Sequence, residues 1–429
     1  MANISPASAS ASSGQGTNGT YTAALSMVTV LFFFWGFVTS LNDILIPHLK
    51  NIFDLNYTKI MLIQFAFFTG YFLFSLPAAK IVDALGYKKT MVIGLITMAA
   101  GAFGFLPAAM IPSYPVFLAA LMIVAGGMTA LQVSANAYVV VLGNPETASS
   151  RLNLSQAFNS FGTFIGPALG GFFILSAAPK SAEVLRAMST QALHDYRVQE
   201  VSSVKIPYIV IGLSLLLFAI LIGLFKLPAM AQAERHHAGG SIWKYPHLIL
   251  GAVGIFVYVG AEVSIGSFLI NYFAEPSIGN LTQQAASRYV SLYWGCAMVG
   301  RFIGSAILQK VKAGTLLGTF AVGAMVLVAT SMIATGHVAM WSIIFVGFFN
   351  SIMFPTIFAL GLAKLGPLTG DGAGLLIAAI VGGAIIPVAQ GWFADHIGIH
   401  HAFILPVVCY AYIVYYGLRG SRPVVPSGA

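Results

Sequence analysis

Charged side chains are scarce in this chain of 429 residues. Asp, Glu, Lys and Arg make up 7% of the sequence, whereas 58% of the residues are hydrophobic. A water-soluble protein of this size needs far more polar surface, so the composition excludes a soluble globular protein and indicates lipid as the solvent. The basic residues are scattered through the connections and form no stripe, which argues against nucleic acid as a partner.

Reactive and metal-binding residues are also few. Cys296 and Cys409 both fall inside apolar runs, so we expect two small packing residues and no disulfide framework. The nine histidines lie in loops or at predicted helix ends, and none is paired with a cysteine. A membrane-embedded enzyme would need a nucleophile with its base, or a cluster of metal ligands. The sequence shows neither, so we predict no enzymatic activity, no metal and no cofactor.

Long apolar runs dominate what the sequence does contain. A membrane-spanning helix needs roughly 20 mostly apolar residues. The runs are long and uniformly apolar, which indicates helices rather than the alternating strands of a membrane β-barrel. We therefore predict an all-α integral membrane protein with twelve transmembrane helices in a lipid bilayer. The predicted spans are 23–47, 58–82, 89–110, 115–143, 152–177, 204–227, 247–271, 285–310, 314–335, 340–364, 372–394 and 400–419.

One polar break divides these runs into six and six. Several residues in the first half recur 220 positions later, which indicates two pseudo-symmetric six-helix bundles from an ancient duplication. Two such halves can rock about a site at the midplane, so the repeat favours a transporter over a receptor or an enzyme. The recurring pairs are Gly127 and Gly347, Gly162 and Gly382, Pro167 and Pro387, and Gly171 and Gly391. The predicted organisation is a disordered cytoplasmic tail at 1–22, bundles at 23–227 and 247–419, a cytoplasmic linker at 228–246 and a cytoplasmic tail at 420–429.

The distribution of Lys and Arg predicts the orientation. If the N-terminus is cytoplasmic, twelve basic residues lie on the cytoplasmic side and seven outside. Four of those seven share one longer connection that also carries acidic residues. The bias follows the positive-inside rule and predicts that both termini are cytoplasmic.

Three ionisable residues within the predicted spans are functional candidates, because a charge at the bilayer centre costs about 3 kcal/mol. Burial favours the protonated form of a carboxyl, so Asp43 can bind a proton from one side and release it to the other. Alternatively, Asp43 caps a broken helix end before Pro47. Glu262 is a second titrating group, an acceptor for substrate hydroxyls, or one half of a buried pair with Arg301.

Neutral polar side chains in the spans indicate the chemistry of the cargo. Amides offer donors and acceptors of the kind that a ring of hydroxyls requires, and aromatic rings can stack on a sugar. Arg301 is the one inward basic candidate, which argues for a neutral substrate. Helix-to-helix hydrogen bonding is the alternative role for each amide. The amide candidates are Gln64, Gln132, Asn136, Gln156, Asn159, Asn271, Asn350 and Gln390, and the aromatic candidates are Trp35, Tyr258 and Trp294.

The connection AAKIVDALGYKKT, between the second and third spans, resembles the loop signature of the major facilitator superfamily. The resemblance implies that Asp83, with Lys88 and Lys89, helps to hold one conformational state. We group Arg301 with them as a gating candidate. A simple helix-capping role for Asp83 is the alternative.

Longer segments resemble the fucose:proton symporter family. They are LNDILIPHL, LQVSANAYVVVLG, RLNLSQAFNSFG and NSIMFPTIFALGLAKLG. The resemblance implies that Asp43 couples proton movement, and that Gln156 and Asn159 lie at the central cavity, with Asn42 as a further site residue. It also implies a bacterial inner-membrane protein that acts as a monomer.

One position departs from that pattern, because Gln132 stands where the fucose symporter has a titratable glutamate. Gln132, YVGAEVSIGSFL and YWGCAMVGRFIG resemble the glucose/galactose branch of the same family, in which Glu262 would be a site residue. This branch implies symport of a neutral hexose with a proton. Fucose and N-acetylglucosamine remain alternative cargoes, and sodium remains the alternative coupling ion.

The segment GTFIGPALGG resembles a signature of drug:proton antiporters. Its alternative role is close helix packing by small residues with a proline kink. A drug:proton antiporter is therefore the second candidate function, although amphiphilic drugs favour a more apolar cavity than these amides provide.

Overall fold

The computed structural model is helical throughout the part that it describes, which comprises residues 21–37, 57–110, 114–174, 188–228 and 241–424. Twelve helices follow one another in these ranges. The first six are α1 (Tyr21–Phe37), α2 (Tyr57–Leu85), α3 (Tyr87–Met110), α4 (Tyr114–Val141), α5 (Ala148–Ile174) and α6 (Thr190–Leu224). The second six are α7 (Pro246–Ala274), α8 (Gln283–Ile307), α9 (Ala313–Ile333), α10 (Gly336–Gly361), α11 (Gly366–Ile397) and α12 (Ile399–Gly420).

The helices have the length and composition that a bilayer demands. Nine helices within the described ranges are long and apolar enough to cross a membrane, and α1 and the segment Tyr208–Leu224 of α6 are shorter apolar helices. A helix satisfies every backbone hydrogen bond within itself, which is required where no water is available. The predicted all-α membrane fold is confirmed, whereas the predicted domain boundaries, which fall partly outside the described residues, stay a prediction.

Two helices begin at least six residues earlier than hydropathy predicts. Helix α6 begins at Thr190 instead of residue 204, after Ser189, whose hydroxyl accepts a hydrogen bond from the Ala192 backbone N–H. Helix α11 begins at Gly366 instead of residue 372. The extra turns of α6 are polar, so they form a helix without being apolar enough to count as a membrane span. Hydropathy therefore located the apolar part of each helix and missed its ends.

Helix α10 is broken in its middle, although the sequence predicts one continuous span. Its two segments are Gly336–Asn350 and Met353–Gly361. Pro355 follows shortly after the break and has no backbone N–H, so the Ser351 carbonyl lacks its usual helical donor. We call residues 350–352 the α10 break. It leaves backbone carbonyls available to side chains from other helices.

The two bundles repeat one close helix contact. In the first bundle, a Cβ atom on Gly162 of α5 would overlap the backbone carbonyl of Phe33 on α1. In the second, a Cβ atom on Gly382 of α11 would overlap the carbonyl of Phe256 on α7. The glycines are 220 positions apart and the phenylalanines 223. The predicted duplication is therefore visible in the packing.

The bundles meet at the end of the molecule where α1 begins and α12 ends. We call it the termini end, and the turns that follow the even-numbered helices lie there as well. Ser150 of α5 donates to the backbone carbonyl of Ser305 of α8 at 2.8 Å, and Ser305 donates to the Ser150 carbonyl at 3.0 Å. One turn further along, Asn153 Nδ2 donates to Thr356 Oγ1 of α10 at 3.2 Å. These contacts close the seam between the bundles at this end.

We predict that Gly382→Ala destabilises the protein, because the added methyl group meets the Phe256 carbonyl. Overpacking of this kind costs about 1 to 3 kcal/mol. Gly295→Ala on α8 is the matched control, since a Cβ atom there meets nothing within 4 Å. Thermal unfolding in detergent should show a lower Tm for Gly382→Ala alone. Equal Tm values for the two variants would contradict the packing.

We also predict that cysteines at positions 150 and 305 cross-link, because the two hydroxyl oxygens are 3.4 Å apart. The variant would lack Cys296 and Cys409 and would carry a protease site in the linker 229–240. After oxidation and cleavage, the two halves should migrate together on a non-reducing gel. Single-cysteine variants are the control, and separate halves in the double-cysteine variant would contradict the seam.

Candidate functional site

Amide side chains cluster inside the first bundle between α2, α4 and α5. Gln132 Nε2 donates to the Tyr71 hydroxyl at 2.7 Å, and Gln156 Nε2 donates to Asn136 Oδ1 at 3.2 Å. Asn136 is fully buried, and its Nδ2 has no partner within the part of the chain that the structure describes. An unpartnered buried donor is costly, so a polar ligand that reached this atom would gain an unopposed hydrogen bond. Three of the eight amide candidates, Gln132, Asn136 and Gln156, are thus brought together.

Asn159 lies one turn beyond Gln156 and ties α5 to α1. Its Nδ2 donates to the backbone carbonyl of Phe32 at 3.0 Å, and the side chain is half-buried. The neighbouring Thr163 donates to the Gly36 carbonyl at 3.3 Å. Asn159 therefore fixes the position of α1 close to the amide cluster.

A second polar cluster forms in the other bundle around Glu262. The Tyr258 hydroxyl lies one helical turn before Glu262 on α7 and is 2.7 Å from its Oε1. The same hydroxyl is 3.0 Å from the backbone carbonyl of Asn350 at the α10 break. Glu262 is half-buried, so its carboxyl group is anchored from one side while part of its surface is open.

Asn350 joins four helices at this cluster. Its Nδ2 donates to the Tyr293 hydroxyl of α8 at 2.8 Å, and its Oδ1 accepts from the Tyr410 hydroxyl of α12 at 2.7 Å. Asn350 is fully buried. Because both ends of its amide are engaged by tyrosines, the position of Asn350 is fixed, and its backbone carbonyl is held at the Tyr258 hydroxyl.

Arg301 of α8 connects the two clusters. Its guanidinium donates to the Ser160 hydroxyl of α5, its Nη1 is 3.5 Å from the Gln156 carbonyl, and its Nε donates to the Ser351 carbonyl at 3.2 Å. The Ser351 carbonyl is the one left without a donor by Pro355. Glu262 and Arg301 form no direct ion pair in the described ranges. Arg301 thus fixes the α10 break to the first bundle.

The loop residues predicted to control gating lie at the termini end. Asp83 is half-buried in the last turn of α2, directly before Gly86, whose positive φ of 83° makes the turn. Lys88 and Lys89 lie in the first turn of α3. The connection thus places an acidic and two basic side chains at the end where the seam is closed.

The remaining candidates are dispersed. Trp35 is buried in an apolar pocket with Leu95, Leu131 and Phe218. Trp294 is 45% exposed beside Gly266, and Asn271 is exposed near the end of α7. Gln390 is fully buried with no partner for either amide atom among the described residues. Asn42, Asp43 and Pro47 lie outside the described residues, as does the side chain of Gln64.

Sequence reasoning missed the hydroxyl groups that support the site. Tyr258 was a candidate only for stacking, and Tyr293, Tyr410 and Ser160 were not considered. The spacing of four between Tyr258 and Glu262 places both on one helix face and was the available signal. The partners on α8 and α12 carry no such local signal, because only tertiary packing brings them to Asn350.

Comparison with known proteins identifies the family of this chain. The family description "Major Facilitator Superfamily" matches residues 28–380. The chain is 51% identical over 405 residues to the glucose/galactose transporter of Brucella abortus biovar 1 (strain 9-941), covering 94% of this chain and 95% of that protein. It is 36% identical over 409 residues to the L-fucose-proton symporter of Escherichia coli (strain K12), covering 93% of each.

Solved structures give the same result for the fold. The crystal structure of a Major Facilitator Superfamily transporter, FucP, in the outward conformation matches with a TM-score of 0.88 and 36% identity, covering 93% of this chain and 98% of that one. The predicted resemblance to the fucose:proton symporter family and its glucose/galactose branch is confirmed. The family match, the relatives and the twelve-helix fold together establish that this chain is a multi-pass membrane protein of the Major Facilitator Superfamily.

Proposed function

We propose that this protein imports a neutral hexose of the glucose or galactose type by cation symport, with the proton as the coupling ion. The observation that carries the proposal is the identity of 51% to a glucose/galactose transporter over 94% of the chain. At that similarity, the side chains around the central site are expected to serve the same class of substrate. The L-fucose-proton symporters among the relatives support the proton as the coupling ion.

The chemistry of the two clusters supports a neutral, hydroxylated cargo. Amide groups can both donate to and accept from sugar hydroxyls, and Gln132, Asn136 and Gln156 supply them on one side. Glu262 supplies an acceptor on the other. The guanidinium of Arg301 is already engaged by α5 and the α10 break, so it is poorly placed to neutralise an anionic substrate.

The closed termini end supports alternating access. In our proposal, the positive-inside bias makes this end cytoplasmic, in the inner membrane of a bacterium, and the protein works as a monomer. Opening the seam at Ser150 and Ser305 would then expose the site to the cytoplasm. Asp83, Lys88 and Lys89 at the same end would help to hold the closed state.

The drug:proton antiporter receives no specific support. Gly162, in the segment that resembles the antiporter signature, is explained by its close contact with the Phe33 carbonyl. Packing thus accounts for the small residue, and the amide cluster is more polar than a drug site requires. Competition between glucose, galactose, fucose and N-acetylglucosamine for uptake into proteoliposomes would rank the remaining cargoes.

We predict that Asp43→Asn abolishes gradient-driven accumulation of sugar while exchange of sugar across the membrane persists. Asparagine cannot titrate, so only the coupling step is removed. Counterflow in sugar-loaded proteoliposomes measures exchange, and uptake under an imposed pH gradient measures accumulation. Full accumulation by this variant would remove Asp43 from the coupling mechanism.

We predict that Gln156→Ala or Asn159→Ala weakens sugar binding roughly fivefold to a hundredfold, because each loses a hydrogen-bonding group in a site shielded from water. Thr330→Val on α9 is the control, since that hydroxyl is exposed and bonds its own helix at Val326. The half-saturation concentration for uptake gives the comparison. Values equal to that of the unaltered protein in both amide variants would place these residues outside the binding site.

A further inference from the structure

The hydroxyl of Tyr258 faces two hydrogen-bond acceptors but has a single O–H to donate. It lies 2.7 Å from Glu262 Oε1 and 3.0 Å from the Asn350 carbonyl oxygen. Tyr258 is fully buried, so no bulk water can supply a second donor. A phenol carries a single O–H, and it can therefore complete only one of these two bonds at a time.

The protonation of Glu262 decides which bond forms. An ionised carboxylate is the stronger acceptor, because hydrogen bonds to a charged group are roughly twice as strong as neutral ones. The Tyr258 O–H then donates its hydrogen bond to Glu262, and the Asn350 carbonyl has no donor from Tyr258. A protonated Glu262 can itself donate to the Tyr258 oxygen, so the Tyr258 O–H is free to donate its hydrogen bond to the Asn350 carbonyl.

We propose that Tyr258 is a positioning residue that transmits the state of the Glu262 carboxyl group to the α10 break, and through Arg301 to the seam between the bundles. The inference rests on the proposed function, in which Glu262 binds a proton or the sugar. Sugar hydroxyls that donate to the carboxylate would act in the same direction as protonation, because they also compete with Tyr258 for that acceptor.

The α10 break is arranged so that it responds when the Tyr258 hydroxyl changes its hydrogen-bond acceptor. The side chain of Asn350 is held by Tyr293 and Tyr410, so the carbonyl of the same residue is kept facing Tyr258. The next carbonyl along the chain, that of Ser351, is held by Arg301. A donor gained or lost at residue 350 therefore acts one peptide away from the Arg301 contact.

Arg301 carries the change across the boundary between the bundles. Its guanidinium contacts the Ser160 hydroxyl and the Gln156 carbonyl of α5. Helix α5 also carries Ser150, which lies two to three turns from Ser160. The Ser150 hydroxyl closes the seam with Ser305. A rearrangement at the break can thus loosen the closed end without any contact between Glu262 and the seam.

Few other titratable groups face Glu262. The described groups that interact with it electrostatically are Tyr258 on its own helix, Arg301 and Tyr293 on α8, and Tyr410 on α12. Helix α11, which also packs on α7, carries its ionisable side chains near its two ends. They are Asp371, Asp395 and His396. The pH dependence of this change of acceptor is therefore assigned to Glu262.

The test compares Tyr258→Phe with Tyr272→Phe. Both residues are fully buried tyrosines of α7, and Tyr272 donates to the Ser331 carbonyl at 2.7 Å, so the control loses an equivalent hydrogen bond far from Glu262. We expect Tyr258→Phe to reduce accumulation of galactose under a pH gradient about tenfold and to flatten its pH profile, while Tyr272→Phe keeps both within twofold.

A double variant separates transmission from support of the fold. If Tyr258 acts through Glu262, then Tyr258→Phe combined with Glu262→Gln should show the same pH profile of galactose counterflow as Glu262→Gln alone, because residue 262 no longer titrates. A further change in the shape of that pH profile would overturn the proposal, because Tyr258 would then contribute to the pH response independently of the carboxyl group. A pH profile of Tyr258→Phe equal to that of the control would overturn it as well.

Cross-linking at the seam gives a readout that does not need transport. In the Ser150→Cys/Ser305→Cys protein, galactose should slow cross-linking when Tyr258 is present and have no effect in the Tyr258→Phe background. The Tyr272→Phe background should respond like the parent, and an unchanged response in Tyr258→Phe would contradict the transmission. Failure of the parent protein to take up any sugar would instead contradict the proposed function.

Discussion

The structure depends on one constraint, which is that a polar group in the membrane interior must find its partner within the protein. Each unsatisfied group costs free energy that no nearby water can return. The backbone meets this demand by remaining helical. At the α10 break, the carbonyls of Asn350 and Ser351 instead find side-chain donors, Tyr258 and Arg301, from two other helices. A local defect in one helix thereby becomes a junction of several.

The same constraint explains how two rigid bundles can share one site. Close packing at Gly162 and Gly382 leaves little freedom within each bundle, so motion is concentrated at the boundary between them. The boundary contacts include hydrogen bonds of serine, asparagine and arginine, which can break and re-form in water when one end opens. A junction at the α10 break then links the chemistry of Glu262 to that motion.

The sequence predicted the fold well because hydropathy and charge distribution report directly on the bilayer. The twelve helices and the duplication were accessible, since apolar length and the recurrence of Gly162 at Gly382 can be read along the chain. The starts of α6 and α11 were not, because helical turns outside the apolar region leave no hydropathy signal. The break in α10 was missed for a related reason: Pro355 was visible, but its effect depends on Arg301 and Tyr258 from other helices.

The candidate site was predicted in part. Gln132 and Asn136 are four residues apart and share one face of α4, which can be read from the sequence, but the contact of Asn136 with Gln156 of α5 requires the tertiary structure. Trp35, a candidate for stacking on the sugar, lies in an apolar pocket. The sequence could not distinguish packing from stacking, because an aromatic residue in a span has no local feature that separates the two roles. The roles of Tyr293 and Tyr410 required the tertiary structure, because they are distant in sequence from the Asn350 amide that they hold.

The most direct test of sugar and proton symport is the movement of protons caused by sugar alone. Purified protein would be reconstituted into proteoliposomes with a pH-sensitive dye outside and no imposed gradient. Addition of glucose or galactose should make the external medium more alkaline, in step with sugar entry, and an uncoupler should abolish the signal. Sugar entry with no movement of protons, in the presence or absence of sodium, would contradict the account.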